Sequence, residues 1–301
     1  MGYVELRASS AFSFLRGGSF PERLAEVAAE LEMPAIALCD RNGVYGTQRF
    51  SVAAREHGVR PIVGAELSMK GGGILPVLVE NRTGYKNLCE LLTQAHLRSE
   101  KGKCEIKWDE LPQFAEGLVA LFNSSLLDNG LRKLLSIFSD QNLFVEIQRH
   151  FVRGEEQINR QLVDLARATG LPLIATNGVQ YAKPYGREVL DVFTCIREHT
   201  HLDAVGKLLA QNAERHLKSD REMREIFRDL PEAIDNTARL AERLTFSLEN
   251  LGYEFPDYPV PSGHNMDSFL RTIVWFGAQQ RYAAVSAKVR RQIEEELALI
   301  I

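Results

Sequence analysis

Short apolar runs recur along the first two-thirds of the chain, each bounded by Gly, Pro, Asn or Asp. The runs at 3–8, 35–40, 61–67, 75–80, 117–123, 143–148 and 172–176 are rich in Val, Ile, Leu and Phe and read as seven strands. Between them the apolar positions shift to helical spacing, at 22–31, 48–57, 85–96 and 155–169. Ser19 and Pro21 suit the cap and first turn of the first of these helices. Gly58 and Gly170 suit left-handed C-caps for the second and fourth. This alternation predicts an α/β fold with a mostly parallel sheet. Polar residues stand at nearly every strand's C-terminal end, where barrel enzymes keep their sites, so a distorted seven-stranded (β/α) barrel is favoured over a doubly wound sheet. Spacing alone also permits an open sheet.

From about Arg187 to Leu251 the pattern becomes helical, with helices expected over 221–227 and 231–244. The stretch 255–263 carries three prolines and a glycine and reads as a linker. Two amphipathic helices should come after it, over 266–281 and 286–300. The last stops mid-pattern at 297–301, with no cap or breaker, which suggests a chain cut from something longer. The expected organisation is therefore a domain over 1–254 (barrel core 1–186, helical extension 187–254), the linker 255–263, and the start of a further domain over 264–301.

Composition narrows the class. The 301 residues are 45% hydrophobic and 25% charged, as in an ordinary globular protein. No apolar run approaches the ~20 residues of a transmembrane helix, and the first residues lack a secretory pattern. Net charge is −4, which argues against a stand-alone DNA binder, because phosphate neutralisation supplies most of such affinity. Cys39, Cys89, Cys104 and Cys195 form no C-x-x-C pair, so reduced cysteines in a cytoplasmic protein are expected.

The motifs are individually weak but ordered. The stretches YVELRASSAFSFLRG (3–17), ALCDRNG (37–43) with Tyr45-Gly46, RPIVGAE (60–66), GYKNLCEL (84–91), FVEIQRH (144–150) and ATNGVQY (175–181) together resemble the PHP (polymerase and histidinol phosphatase) domain. LKSDREMREIF (217–227) and LPEAIDNT (230–237) resemble the helical part that succeeds that core in bacterial C-family DNA polymerases, such as the polymerase III alpha subunit. The RGGS stretch at 16–19 and EIQRH at 146–150 resemble the error-prone branch most closely. The resemblance spans nearly the whole chain. It implies an N-terminal PHP domain followed by the first helices of a polymerase palm, with the Mg²⁺-binding aspartates of nucleotidyl transfer beyond residue 301. DNA synthesis and lesion bypass would then belong to a longer parent. The implied partners are the rest of the polymerase chain, DNA through the parent, and other replication or repair subunits. No membrane is implied.

An active PHP cleft holds a multinuclear metal cluster on His, Asp, Glu and sometimes Cys, which activates water against a phosphoester. Carried over one by one, the first motif's paired histidines fall on Arg7 and Ser9, and its later aspartate on Arg16. The second motif keeps Asp40, but its histidine falls on Arg41. The third keeps Glu66. The helix histidine falls on Gln94, the ligand after the fifth strand near Ser124, and the last Asp-x-His on Gly178 and Gln180. Arginine cannot donate a lone pair and repels the ion its position once bound. The resemblance therefore implies a degenerate cleft with no catalytic residues, no resident metal and no nuclease activity. Arg7, Arg16 and Arg41 should instead pair with Glu5, Asp40 and Glu66. Two rivals stay open. One is an altered phosphoesterase or 3′–5′ exonuclease, with Glu66, Asp40, His150 and Glu146 around one Zn²⁺ or Mn²⁺. The other is a free-standing anion binder using the same arginines. His150 alone reads as a structural histidine, His199 and His201 as surface residues, Gly71–Gly73 as a hairpin, and Lys101, Lys103, Lys107 and Trp108 as a solvated basic loop.

Overall fold

The computed structural model describes residues 2–128, 130–249, 251 and 258–301. All seven expected strands are present: β1 Glu5–Ala8, β2 Ala35–Arg41, β3 Arg60–Ser68, β4 Ile74–Val79, β5 Leu118–Phe122, β6 Leu143–Ile147 and β7 Leu173–Ala175. They form one sheet in sequential order. β4 is antiparallel to both neighbours and the other pairs are parallel. The β3–β4 hairpin turns on Gly71–Gly73, all three at positive φ, which only glycine adopts without strain. The sheet closes on itself through a narrow seam. Ser9 N donates to Val179 O (2.8 Å) and Val179 N to Arg7 O (2.9 Å), a parallel bridge between β1 and the segment after β7.

Twelve helices occur among the described residues: α1 Pro21–Glu30, α2 Thr47–Glu56, α3 Arg82–Arg98, α4 Leu111–Phe114, α5 Gly130–Ile137, α6 Glu155–Thr169, α7 Gly186–Arg197, α8 Leu202–Val205, α9 Asp220–Ile226, α10 Pro231–Arg243, α11 Met266–Arg281 and α12 Ala287–Ile300. None is long and apolar enough to cross a membrane. The short α4 and α5 are not signalled by the apolar pattern. Gly58 and Gly170 take the left-handed conformation expected of them. Ser19 does not cap α1; its hydroxyl accepts from Ala182 N (2.9 Å) and ties the seam region down instead.

The core is one cluster of strand residues, including Leu6, Ala37, Cys39, Ile62, Leu78, Leu121 and Ile174, closed by Leu240, Ala241 and Leu244 of α10. At the start of α3, Asn81 caps Gly84 N (3.0 Å), and Gly84 lies against the backbone of Gly117 just before β5. A Cβ at Gly84 would overlap the Gly117 carbonyl. Gly84→Ala should therefore destabilise the chain by about 1–3 kcal/mol in urea titrations, as overpacking does.

Contacts divide the chain into two units, Met1–Glu249 and Asn250–Ile301. The expected boundary at 254/255 and the first linker residues lie outside the described residues. In the second unit α11 and α12 are joined by Arg271 Nη1–Glu294 Oε2 (2.5 Å) and by Arg290 over the Trp275 ring.

Candidate functional site: the barrel mouth

The C-terminal ends of β1, β2, β3 and β6 bring charged side chains to one end of the barrel. In β1 the register against β2 shifts between Glu5 and Ala8. This irregularity lets consecutive residues turn inward, Leu6 into the core cluster and Arg7 into the mouth. Bulges re-aim side chains in this way. Arg7 Nε sits 2.8 Å from Glu66 Oε1, and its Nη1 2.6 Å from Glu146 Oε2. Arg41 takes the other Glu66 oxygen, with Nε at 2.9 Å and Nη2 at 2.8 Å. Both oxygens of Glu66 therefore carry guanidinium. Burial works to raise the Glu66 carboxyl, but Arg7 and Arg41 outweigh it and hold it below its ordinary range. The same carboxylates hold the Arg7 guanidinium above its usual range against the cost of its burial.

The other carboxylates are engaged differently from the expectation. Among the described residues, Asp40 pairs with no arginine. It accepts from Ser10 N (2.7 Å), Ser10 Oγ and Ser13 Oγ (2.6 Å), and burial still raises its pKa. Glu5 accepts from Tyr3 Oη (2.7 Å), Arg7 N (2.8 Å) and Asn177 N (2.9 Å). Burial dominates there and pushes the Glu5 carboxyl up to about 7. Glu146 also accepts from Gln148 and Thr176.

The remaining candidates scatter. Ser9 Oγ donates to Cys39 O (3.2 Å). His150 is buried, with Nδ1 2.9 Å from Glu155 Oε1 and Nε2 2.8 Å from Asn177 O. Neither ring nitrogen is left for a ligand. Ser124 lies at the edge of a cavity of about 220 Å³ beside Arg7, Glu146, Gln148 and Arg215. Gln94 does not join the mouth; it is exposed on α3. His96, two positions on, reaches the loop after β2 instead, with Nε2 2.7 Å from Asn42 O. Arg16 does not join the Arg7–Glu66–Arg41 cluster. It makes no hydrogen bond or ion pair among the described residues and lines a separate cavity with Arg41 and Gln180. Phe14 and Leu15, just before it, have φ of 41° and 62°, a conformation that costs non-glycine residues on the order of 1–3 kcal/mol each. His199 and His201 are exposed.

Sequence reasoning missed Arg215. A side chain at Gly178 would meet the Gln148 amide and the Arg215 guanidinium. Arg215 Nη1 lies 3.3 Å from both Gln148 Oε1 and Gly178 O. These two side chains fill the space into which the last motif's acid would project. Burial, then neighbouring Arg7, lowers the Arg215 guanidinium. Among the described residues, no three His, Cys, Asp or Glu side chains gather so as to hold a metal ion.

The chain is similar to several known proteins. Residues 5–129 match the PHP domain family. The chain is 36% identical to an error-prone DNA polymerase of Caulobacter vibrioides over 99% of its own length and 28% of that protein's. It is 34% identical to one of Mycobacterium bovis over its full length and 30% of that protein's. Among solved structures, an amidohydrolase from Chromobacterium violaceum matches with a TM-score of 0.42 at 12% identity, covering 60% of this chain and 87% of that one. Endonuclease Q bound to an abasic duplex matches with a TM-score of 0.40 at 14% identity, covering 61% and 49%. The match to the PHP domain family thus falls on the first five strands of the α/β barrel. Over nearly its whole length the chain is similar to segments of proteins named error-prone DNA polymerase, and it spans less than a third of the length of these relatives.

Proposed function

We propose that this chain is the N-terminal part of an error-prone DNA polymerase in which the PHP barrel is a structural and interaction module without nuclease activity. DNA synthesis, its Mg²⁺ and lesion bypass belong to the longer protein, and residues 264–301 begin its palm. The setting is cytoplasmic. The partners are the rest of that chain, DNA through it, and other replication or repair subunits.

One observation carries the reading: Arg7 and Arg41 occupy both oxygens of Glu66, and Arg7 also occupies Glu146. Permanently charged guanidinium groups stand where a metal cluster would need lone pairs. Asp40 and His150 spend their donor atoms on neighbouring groups. The residues present do not fit a metal cluster.

The test is elemental analysis of the purified chain after exposure to zinc and manganese, followed by desalting. The expected result is no stoichiometric metal and no metal-dependent release of nucleotides from single-stranded DNA. Stoichiometric metal that disappears in Glu66→Ala, together with such release, would overturn the reading in favour of an altered phosphoesterase.

A further inference from the structure

Glu66 divides the mouth. Arg7 lines the cavity on one side. On the other lies a second cavity of about 230 Å³, into which Arg16, Arg41 and Arg197 converge beside Gln180 and Thr194. Three guanidinium groups in one small space repel each other unless carboxylates offset them. The carboxylates nearby are already engaged. Asp191, in the cavity wall, lies 3.3 Å from Arg187 Nε, outside the trio. Glu198 lies 3.0 Å from Arg197 Nε. Glu66 is shared between Arg41 and Arg7. Arg16 is left without a partner among the described residues. Burial, then Arg41 and Arg197, pushes its guanidinium below the usual range.

The cavity is also held in shape. Arg197 Nη1 donates to Leu15 O (2.7 Å), fastening α7 to the loop that carries Arg16. That loop is kept in a left-handed conformation at Phe14 and Leu15. Gly17 lies against the Ser10 carbonyl, where a Cβ would overlap it. Strain retained by surrounding contacts, next to an unpaired cation, is the arrangement of a preformed ligand site.

We propose that this cavity is a phosphate-binding site, in which Arg16, Arg41 and Arg197 hold one or two phosphoryl groups. Planar guanidinium forks match phosphate oxygens. At about 230 Å³ the cavity is smaller than the roughly 300–1,000 Å³ of pockets that take drug-sized ligands, a size that suits phosphoryl groups. Two sources carry this chemistry: free inorganic phosphate or pyrophosphate, and the terminal phosphate of a DNA strand. The site makes no use of a metal ion.

Isothermal titration of the 301-residue chain with inorganic pyrophosphate, in low-salt buffer containing EDTA, tests it. The expected result is saturable one-to-one binding, weakened at least tenfold in Arg16→Glu and Arg197→Ala. Arg16→Ala serves as the companion variant, and thermal unfolding without ligand checks that each variant folds. A second arm compares a short 5′-phosphorylated oligothymidylate with its 5′-hydroxyl form. Tighter binding of the phosphorylated strand, lost in Arg16→Glu, assigns the site to a strand end. Pyrophosphate binding with no preference between the strands assigns it to the free anion. Absence of pyrophosphate binding, or binding unchanged in folded Arg16 variants, overturns the proposal.

Discussion

Replacing Arg7 with alanine is expected to destabilise the chain by about 3–5 kcal/mol at neutral pH, the usual cost of leaving a buried charge uncompensated. Glu146 is the group left exposed to that cost. Its side chain is fully buried, and Arg7 is its ion-pair partner. Glu66 keeps Arg41 and is cushioned. The distinguishing measurement is a double replacement. Arg7→Met with Glu146→Gln removes the stranded charge along with its partner, so much of the loss should return in urea unfolding. Buried ion pairs replaced by packed neutral groups are often neutral or better. A single Arg7→Ala variant as stable as the parent would mean that the network at the mouth does not hold the barrel together.

Stability should fall as pH rises from about 5 to 8, and Glu5 should be the main cause. Its carboxyl ionises near its ordinary value of 4.5 in the unfolded chain but at about 7 in the folded one. Between those values the folded state binds the extra proton, so raising the pH favours unfolding. The full effect, reached above pH 7, is roughly 3 kcal/mol, with a limiting slope of about 1.4 kcal/mol per pH unit. Glu5→Gln cannot titrate. Its urea-unfolding free energy should stay flatter across pH 5, 6, 7 and 8 than that of the parent, whatever its absolute stability. Parallel curves would reject Glu5 as the source. Glu66 acts in the opposite sense and in a different window. Arg7 and Arg41 hold its folded-state pKa down, so its contribution is present above its unfolded value and is lost only as the pH falls further.

The seven strands were legible because a parallel sheet buried on both faces writes itself as near-continuous apolar runs. The first turns of the helices were less so. Ser19 has the chemistry of a cap, yet tertiary contact with Ala182 claims its hydroxyl. At the mouth, the Arg7–Glu66–Arg41 pairing could be read from residue types at strand ends, where guanidinium forks and a carboxylate are brought close together. Two things could not. The shift in β1 that turns both Leu6 and Arg7 inward breaks the alternation on which sequence patterning rests. The position of Arg215 depends on an irregular segment after α8, with no periodicity and no motif. The one available clue was the small residue at Gly178, which leaves room that some other side chain must fill. Arg16 failed to join the cluster for a related reason. It follows a left-handed backbone at Phe14 and Leu15, and nothing in those two residue types signals that conformation.

The seam between β1 and Val179 also sets a timetable for synthesis. Ala8 and Val179 are roughly 170 positions apart, and a ribosome adding about 5–20 residues per second takes on the order of 10–30 s to pass from one to the other. Throughout that interval the outer edge of β1 has no strand to pair with, and an open strand edge is where nascent chains pair wrongly. The residue next to the core on that edge is Arg7. Its charge has no partner until Glu66 and then Glu146 have been made, and a charge beside an open edge disfavours wrong pairing, so the arginine that ties the finished barrel together also guards the early part of the unfinished one.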